Sequence, residues 1–167
     1  MTRRVLRTHL RVQETPFDAA AETAALGLGP ESGALVTFTG LCRDEGGRLA
    51  ALEIECYPEM AEAEIARVAA EAGSRWPLDA LLIVHRYGLI RAGEAIVLVA
   101  TASAHRAAAF EAAQFLMDYL KTRAPFWKKQ HGRDGRAGEW IAPREEDEAA
   151  AEKWTQNIPS PRPRGEG

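Results

Sequence analysis

Basic side chains stand at four places in this sequence where apolar packing residues would be the norm. They are Arg43 behind a β-branched segment, the pair His105–Arg106 at the start of a long helical pattern, Lys121 near the end of that pattern, and the run Lys128–Lys129 behind an aromatic pair. Each of them alone is an ordinary solvated or helix-end charge. Together they predict a pocket for an anionic small molecule, with a phosphate-bearing one as the obvious candidate.

Two lysines close together also predict acid–base or nucleophilic chemistry. A neighbouring positive charge and partial burial both favour the neutral amine, so one lysine can act as a base or a nucleophile near neutral pH. Strand alternation after Pro125 turns Lys128 and Lys129 to opposite faces, one inward and one toward solvent. Lys121 alone is better explained by the favourable field at a helix C-terminus. These residues therefore predict lysine chemistry on a phosphate-bearing ligand, and they specify no substrate.

Four candidate residues keep two interpretations at this point. His105 and Arg106 are either an exposed pair or, with the N–H groups of the helix start, an anion site. Arg43 is either a solvated loop charge or a ligand contact. Beside it, Cys42 is either an inert thiol or a persulfide carrier activated by the arginine. Activity retained in Cys42→Ser would exclude the persulfide.

Length and composition set the class of protein. The chain has 167 residues, 46% of them hydrophobic, which suits one globular domain with a real core. Its 21 basic and 24 acidic residues give a net charge of -3, so there is no general basic surface for nucleic acid. No apolar run reaches the roughly 18 residues that span a membrane, and the start lacks the apolar segment of a signal peptide. Two cysteines and four scattered histidines indicate neither a disulfide framework nor a metal site, and a reduced, cytoplasmic setting is expected.

The hydrophobic patterns predict an α+β fold whose sheet is largely antiparallel. Strands are expected at 4–12, 33–40, 52–56, 80–88, 94–103, 126–130 and 138–142. Helices are expected from Thr15 to Gly27, from Pro58 to about Arg75, over 104–123 and over 145–154. The strand at 94–103 is nearly all apolar, so both of its faces should be covered.

Three further expectations concern particular segments. The helix at 104–123 should bury one stripe of side chains, namely Phe110, Ala113, Met117 and Leu120. A turn at 91–93 should join the strands on either side of it. Residues 1–154 should form one domain, and the tail 155–167, rich in Pro, Arg and Gly, should be disordered.

Five longer motifs occur in an order and spacing typical of one enzyme family. They are GALVTFTGLCRD, LEIECYPEMAEAEI, IVHRYGLIRAGE, SAHRAAAFEA and MDYLKTRAPFWKK, and together they cover roughly residues 5–154. In these motifs the chain resembles the molybdopterin synthase large-subunit family. The resemblance implies an α/β hammerhead fold with an additional antiparallel β-sheet.

The resemblance also implies a reaction and partners. Members of the family form a central homodimer with a small ubiquitin-like sulfur carrier at each end, which makes a heterotetramer. The carrier's C-terminal Gly-Gly thiocarboxylate enters the pocket of the large subunit. Sulfur then passes twice to cyclic pyranopterin monophosphate and forms the dithiolene of molybdopterin. Because the carrier supplies activated sulfur, neither a metal nor another cofactor is expected.

Matched to the motifs of this family, ten residues form the expected site. Lys121 and Lys128 match the catalytic lysines, the first to contact the carrier's terminal carbonyl and the second to hold or polarise an oxygen of the pterin. The expected substrate-binding set is both lysines together with Leu41, Cys42, Arg43, His105, Arg106, Lys129, Gln130 and Arg144. Two positions depart from the family pattern. Gln130 stands where glutamate is frequent, which weakens the tuning of a lysine, and Leu41 stands where a basic residue is frequent, which removes a phosphate contact.

Helix length adds a geometric prediction about this site. Fifteen residues separate Arg106 from Lys121, which is about 22 Å along one continuous helix and too far for one small pterin. We therefore expect a site shared between subunits, with both lysines from one subunit and His105 and Arg106 from its mate. From the residues alone two other functions stay open. They are a non-catalytic docking protein for a ubiquitin-like partner, and a lysine-dependent enzyme, such as a Schiff-base lyase, acting on another phosphorylated metabolite.

Overall fold

The computed structural model describes residues 5–141 and 144–156 of the chain. Within these ranges the backbone forms two sheets and four helices. The strands are β1 (Arg7–Gln13), β2 (Ala34–Leu41), β3 (Leu49–Glu55), β4 (Leu78–Arg86), β5 (Gly88–Arg91), β6 (Ala95–Ser103), β7 (Trp127–Gly132) and β8 (Ala137–Ile141). The helices are α1 (Ala19–Ala24), α2 (Pro58–Arg75), α3 (Arg106–Thr122) and α4 (Glu145–Gln156).

The first sheet has the strand order β1-β4-β6-β2. β1 runs parallel to β4, and the other two pairs are antiparallel. α2 and α3 pack on the face of the sheet that carries Leu81 and Ile83. The segment around α1 packs on the opposite face, which carries Leu82 and Leu98. Both faces of the central strands are therefore covered, as the apolar pattern at 94–103 predicted.

The second sheet, with the order β5-β3-β7-β8, is antiparallel throughout. Its buried face carries Leu52, Ile54 and Ile90. Ile96 and Phe126 pack both against this cluster and against the core between the first sheet and its helices. These two side chains join the sheets. The predicted α+β class and the additional antiparallel sheet are confirmed.

The predicted strand at 80–88 is divided between the two sheets. β4 ends at Arg86 in the first sheet, and β5 begins at Gly88 in the second. Gly88 has a φ of 83°, a left-handed conformation that favours glycine, and the chain changes direction there. The predicted turn at 91–93 consequently joins strands of different sheets, whereas partner strands were expected.

Two details of the helices differ from the prediction. Asp18, instead of Thr15, caps α1, since its Oδ1 accepts a hydrogen bond from the Ala21 N–H at 3.1 Å. Phe110 is 61% exposed, so its assignment to the buried stripe of α3 was wrong, while the other three residues of that stripe are buried. The first turns of α3 meet the sheet through Ala109, and Phe110 is rotated about 100° away from it.

The C-terminal helix α4 runs to Gln156, two residues past the expected domain boundary at 154. The rest of the predicted tail, 157–167, lies outside the described residues. In the ranges that the structure describes, no helix is both long enough and apolar enough to cross a membrane.

Candidate active site

A cavity of about 380 Å³ lies where the second sheet meets the C-terminal end of α3. The end of β2 with its following loop, the end of β8 and the start of α4 complete the wall. Seven of the ten expected site residues line this cavity, and they are Leu41, Cys42, Arg43, Lys121, Lys128, Gln130 and Arg144. Segments far apart in sequence therefore bring most of the expected site to one place.

Lys128 reaches the cavity because of its register on β7. It lies directly opposite Ile54 of β3, which is 1% exposed. Since directly opposed residues share one face of a sheet, Lys128 lies on the inner face, where it is half-buried. The pKa of Lys128 is lowered from 10.5 to about 8, chiefly by burial and then by the charge of Lys121, while Asp147 acts in the opposite direction. This amine is therefore part neutral and part charged near pH 8.

The two residues after Lys128 alternate between the faces of β7. Lys129 pairs with Trp140 on the outer face, and its Nζ lies 4.5 Å from the centre of the Trp140 ring, a cation–π contact. Gln130 returns to the inner face opposite Leu52 and lines the cavity. Alternation thus separates the two neighbouring lysines as predicted, and Lys129 lies outside the cavity.

Lys121 lies in the last turn of α3, where the partial negative charge of the helix C-terminus favours a cation. Its side chain lines the cavity and is exposed, whereas that of Lys128 is half-buried. The two amines therefore differ in their access to solvent. Lys121 is the more exposed of the two.

The loop after β2 carries Arg43 to the rim of the cavity. Three successive residues, 45–47, have positive φ angles of 51°, 70° and 85°, so the loop turns back tightly before β3. Nη2 of Arg43 lies 3.2 Å from Oε1 of Glu45, and 68% of the Arg43 side chain is exposed. The ion pair holds the guanidinium near the cavity while leaving it accessible to an anion.

Cys42 also lines the cavity, yet it is only 3% exposed. Its Sγ lies 3.7 Å from the carbonyl oxygen of Ile90. Burial raises the pKa of the Cys42 thiol, and although a hydrogen bond with the backbone of Leu52 lowers it, the net direction is upward, with Glu94 and Glu45 adding to the effect of burial. This environment favours the neutral thiol, which is the opposite of what a persulfide carrier needs.

His105 and Arg106 lie at the far end of α3, away from the cavity. His105 is the N-cap residue and makes no side-chain capping hydrogen bond, and both side chains are exposed. α3 has 17 residues, so about 25 Å separates its two ends. Within one chain these two residues are not brought together with Lys121 and Lys128.

A family model described as MoaE protein matches residues 12–123. The chain belongs to the MoaE protein family. Among its relatives, the molybdopterin synthase catalytic subunit of Mesorhizobium japonicum is 62% identical over 151 residues, which are 90% of this chain and 95% of the relative. The family predicted from the motifs is confirmed.

Solved structures agree with this membership. The molybdopterin biosynthesis MoaE protein from Burkholderia ambifaria superposes with a TM-score of 0.74 at 45% sequence identity, covering 89% of this chain and 98% of that chain. A protein–protein complex of subunits 1 and 2 of the molybdopterin-converting factor from Helicobacter pylori contains a chain that matches with a TM-score of 0.62 at 20% identity. That match covers 81% of this chain and 90% of the Helicobacter chain, and it concerns the fold alone. The fold expected from the resemblance is confirmed.

The site of this MoaE-family chain contains two residues that the sequence did not single out. His85 is 3% exposed and lies behind the cavity wall, with its ring stacked on Phe126 at 3.9 Å between centroids and 9° between planes. Its Nδ1 lies 2.8 Å from the carbonyl oxygen of Arg86, and burial lowers the pKa of His85 to about 3. The second residue is Asp147 on the wall itself. A histidine inside an apolar strand is a sequence signal that could have identified His85. Asp147 is one acid among several in a charged helix, so no sequence signal identified it.

Proposed function

We propose that this chain works as the catalytic subunit of a molybdopterin synthase. Such an enzyme transfers sulfur from a thiocarboxylated small carrier subunit to cyclic pyranopterin monophosphate and so forms the molybdopterin dithiolene. The enzyme class, a sulfurtransferase of molybdenum cofactor biosynthesis, follows from the family and from relatives of that name. One observation carries the proposed site: Lys121 and a half-buried Lys128 with a pKa of about 8 line the same cavity.

The two lysines take different roles because their exposure differs. Exchanging oxygen for sulfur requires a proton for the departing oxygen and stabilisation of anionic intermediates. Lys121, which is exposed, contacts the carrier's terminal carbonyl and exchanges protons there. Lys128 holds an oxygen of the pterin side chain and, as an ammonium group, gives it a proton. With a pKa of about 8, roughly three quarters of Lys128 is protonated at pH 7.5. Both its acid and its base form are therefore present during turnover.

The remaining residues of the cavity bind the substrate. Arg43 and Arg144 supply guanidinium groups that can donate paired hydrogen bonds to the phosphate. Leu41, Cys42 and Gln130 form an uncharged part of the wall, against which the pterin ring lies. Lys129, on the other face of β7, would contribute only at longer range.

The proposed partner is a small ubiquitin-like carrier whose C-terminal Gly-Gly thiocarboxylate enters the cavity past Lys121. The Helicobacter protein, which shares this fold, was solved as a complex of two different subunits, and this supports a protein partner here. We place the enzyme in the cytoplasm, a reducing compartment that suits its free cysteines, Cys42 and Cys56.

We further propose that two copies of the chain form a homodimer with shared active sites. Along α3, Arg106 lies about 22 Å from Lys121, so His105 and Arg106 would serve the cavity of the partner subunit. A mixed dimer of Lys121→Ala and Arg106→Ala subunits tests this. One of its two sites would then contain all the intact side chains, and we expect up to about half the wild-type activity. A mixed dimer as inactive as the two parents would contradict the shared site.

Formation of the dithiolene by the purified protein is the decisive test of the proposed function. The purified protein is incubated with thiocarboxylated carrier and cyclic pyranopterin monophosphate, and mass spectrometry follows formation of the dithiolene. Lys128→Ala should lose nearly all turnover, while Lys129→Ala, its outward-facing neighbour, should keep most of it. Carrier binding without any dithiolene from the wild-type protein would favour the docking alternative. A substrate adduct trapped on a lysine by borohydride would favour the Schiff-base alternative.

A further inference from the structure

The cavity wall carries an uneven set of charges. Its cationic side chains are Arg43, Lys121, Lys128 and Arg144, and its carboxylates are those of Glu45 and Asp147. Glu45 is paired with Arg43 at 3.2 Å. Among the wall residues that the structure describes, this leaves Asp147 as the carboxylate that can balance the two lysines.

Two polar residues near Lys128 are neutral. Gln130, its neighbour on the inner face of β7, carries an uncharged amide. His85 of β4 is held in the neutral form by burial, which lowers its pKa to about 3. The charged side chains of the cavity wall around Lys128 are those of Lys121 from α3, the Arg43–Glu45 pair from the loop, Arg144 just before α4 and Asp147 in the first turn of α4.

Helix α4 is attached to α3 in a way that fixes the place of Asp147. Near the other end of α4, Nε1 of Trp154 donates a hydrogen bond to Oδ2 of Asp118 in α3 at 2.6 Å. Nη1 of Arg75 donates to the Trp154 carbonyl oxygen at 3.2 Å, and the Trp154 ring packs edge-on against Phe115. Seven residues, about two helical turns, separate Asp147 from Trp154, so both lie on the face of α4 that meets α3. Anchoring Trp154 thereby directs Asp147 toward the cavity.

From this arrangement we infer that Asp147 is a positioning residue for the lysine pair, because its carboxylate balances their charge and keeps the Lys128 ammonium group in the cavity. The importance of Asp147 for turnover rests on the proposed function. The charge balance itself is a property of the folded chain and can be measured without substrate.

The sign of the effect follows from the charges. Burial and Lys121 both lower the pKa of Lys128, and Asp147 raises it. Removing the carboxylate should therefore lower the pKa of Lys128 below about 8, so that the amine loses its proton at a lower pH. A single charge acting across a solvated cavity predicts a shift on the order of half a pH unit.

The test measures the ionisation of Lys128 in the full-length protein. Trace acetylation with isotopically labelled acetic anhydride, which reacts with neutral amines, is carried out from pH 6 to pH 11. The labelled residue is identified by mass spectrometry of chymotryptic peptides. We expect the midpoint for Lys128 to fall by on the order of half a unit in Asp147→Asn and in Asp147→Ser. Asp147→Glu should restore it.

Glu148→Gln is the matched control, since Glu148 is an exposed acid of the same helix that does not line the cavity. It removes the same charge from the same turn of α4 and should leave the Lys128 midpoint unchanged. An unchanged midpoint in both neutral Asp147 variants would overturn the inference. An equal shift in Glu148→Gln would also overturn it, because the effect would then belong to the net charge of α4.

Turnover links this inference to the proposed reaction. In Asp147→Asn, the limb of the kcat/KM profile that reports loss of the Lys128 proton should move to lower pH by the same amount as the labelling midpoint. If this limb of the kcat/KM profile stays in place while the labelling midpoint of Lys128 moves, the positioning role of Asp147 is overturned. Absence of dithiolene formation by the wild-type protein would instead contradict the proposed function and leave the labelling result standing.

Discussion

Replacing Lys128 by methionine should stabilise the fold while abolishing turnover. The pKa of Lys128 is about 8 in the folded chain, against an ordinary value of 10.5. Between these two pH values the unfolded chain binds more protons than the folded chain. The free energy of unfolding of the wild type should therefore rise as the pH increases from about 8 to about 10.5. Below that window the full penalty of holding the ammonium group in the cavity is present.

The size of this penalty can be bounded from the pKa. One unit corresponds to about 1.4 kcal/mol, so lowering the pKa from 10.5 to about 8 sets an upper limit of about 3.5 kcal/mol. Lys128 is only half-buried, and solvent screens part of the unfavourable interaction. We therefore expect Lys128→Met to raise the free energy of unfolding at pH 7 by about 1 to 2 kcal/mol. Methionine is flexible and of similar length, so it can occupy the same space without the charge.

Urea denaturation at pH 7 and at pH 10 measures both consequences. The variant should be more stable than the wild type at pH 7, and the difference should shrink at pH 10. Lys129→Met is the matched control, because Lys129 lies on the outer face against Trp140 and its loss should not stabilise the protein. If Lys128→Met is no more stable than Lys129→Met at pH 7, the reasoning from burial and like charge is refuted.

Three further substitutions test separate parts of the structure. Cys42→Ser should keep most of the dithiolene-forming activity, because the buried thiol is held neutral, and a loss of more than about tenfold would revive the persulfide alternative. Trp154→Phe removes the hydrogen bond to Asp118 and should lower the free energy of unfolding by about 1 to 3 kcal/mol in urea titrations, and an unchanged midpoint would mean that α4 is held otherwise. His85→Phe keeps the stacking on Phe126 and removes a group whose pKa is about 3 in the fold against 6.5 ordinarily. Because the unfolded wild type binds the extra proton between these values, the wild type should lose stability on acidification from pH 7 to pH 4.5, and the variant should lose less of it.

Local signals were sufficient for most of the secondary structure. Pro58 sets the start of α2, and the nearly unbroken apolar run at 94–103 indicated a strand covered on both faces. The predictions were wrong where tertiary contacts determine the structure. The chain changes sheet at Gly88, which no periodicity marks, and Phe110 fits the helical spacing of a buried stripe although the sheet meets α3 through the alanines beside it.

The candidate site, like the fold, was predictable from local sequence signals only in part. Alternation along β7 predicted that Lys128 and Lys129 face opposite ways, but only the pairing of Lys128 with a buried residue of β3 decides which of them is inward. The motifs named Arg43 and Lys121 by resemblance, and their meeting in one cavity is a long-range fact of the fold. Asp147 could not be predicted as a site residue from the sequence, because its position depends on how α4, far along the chain, docks on α3.

Gln130→Glu offers a test of the same charge balance from another position on the cavity wall. Gln130 lies two residues beyond Lys128 on the inner face of β7, about 7 Å along the strand. A carboxylate at that distance should raise the pKa of Lys128 by on the order of half a unit, the reverse of the expected effect of Asp147→Asn. In the double variant, with Asp147→Asn, the two shifts should largely cancel, and acetylation across the pH range would measure this. If Gln130→Glu leaves the Lys128 midpoint in place, then position 130 does not act on this lysine through charge, and the uncharged amide is tolerated for another reason.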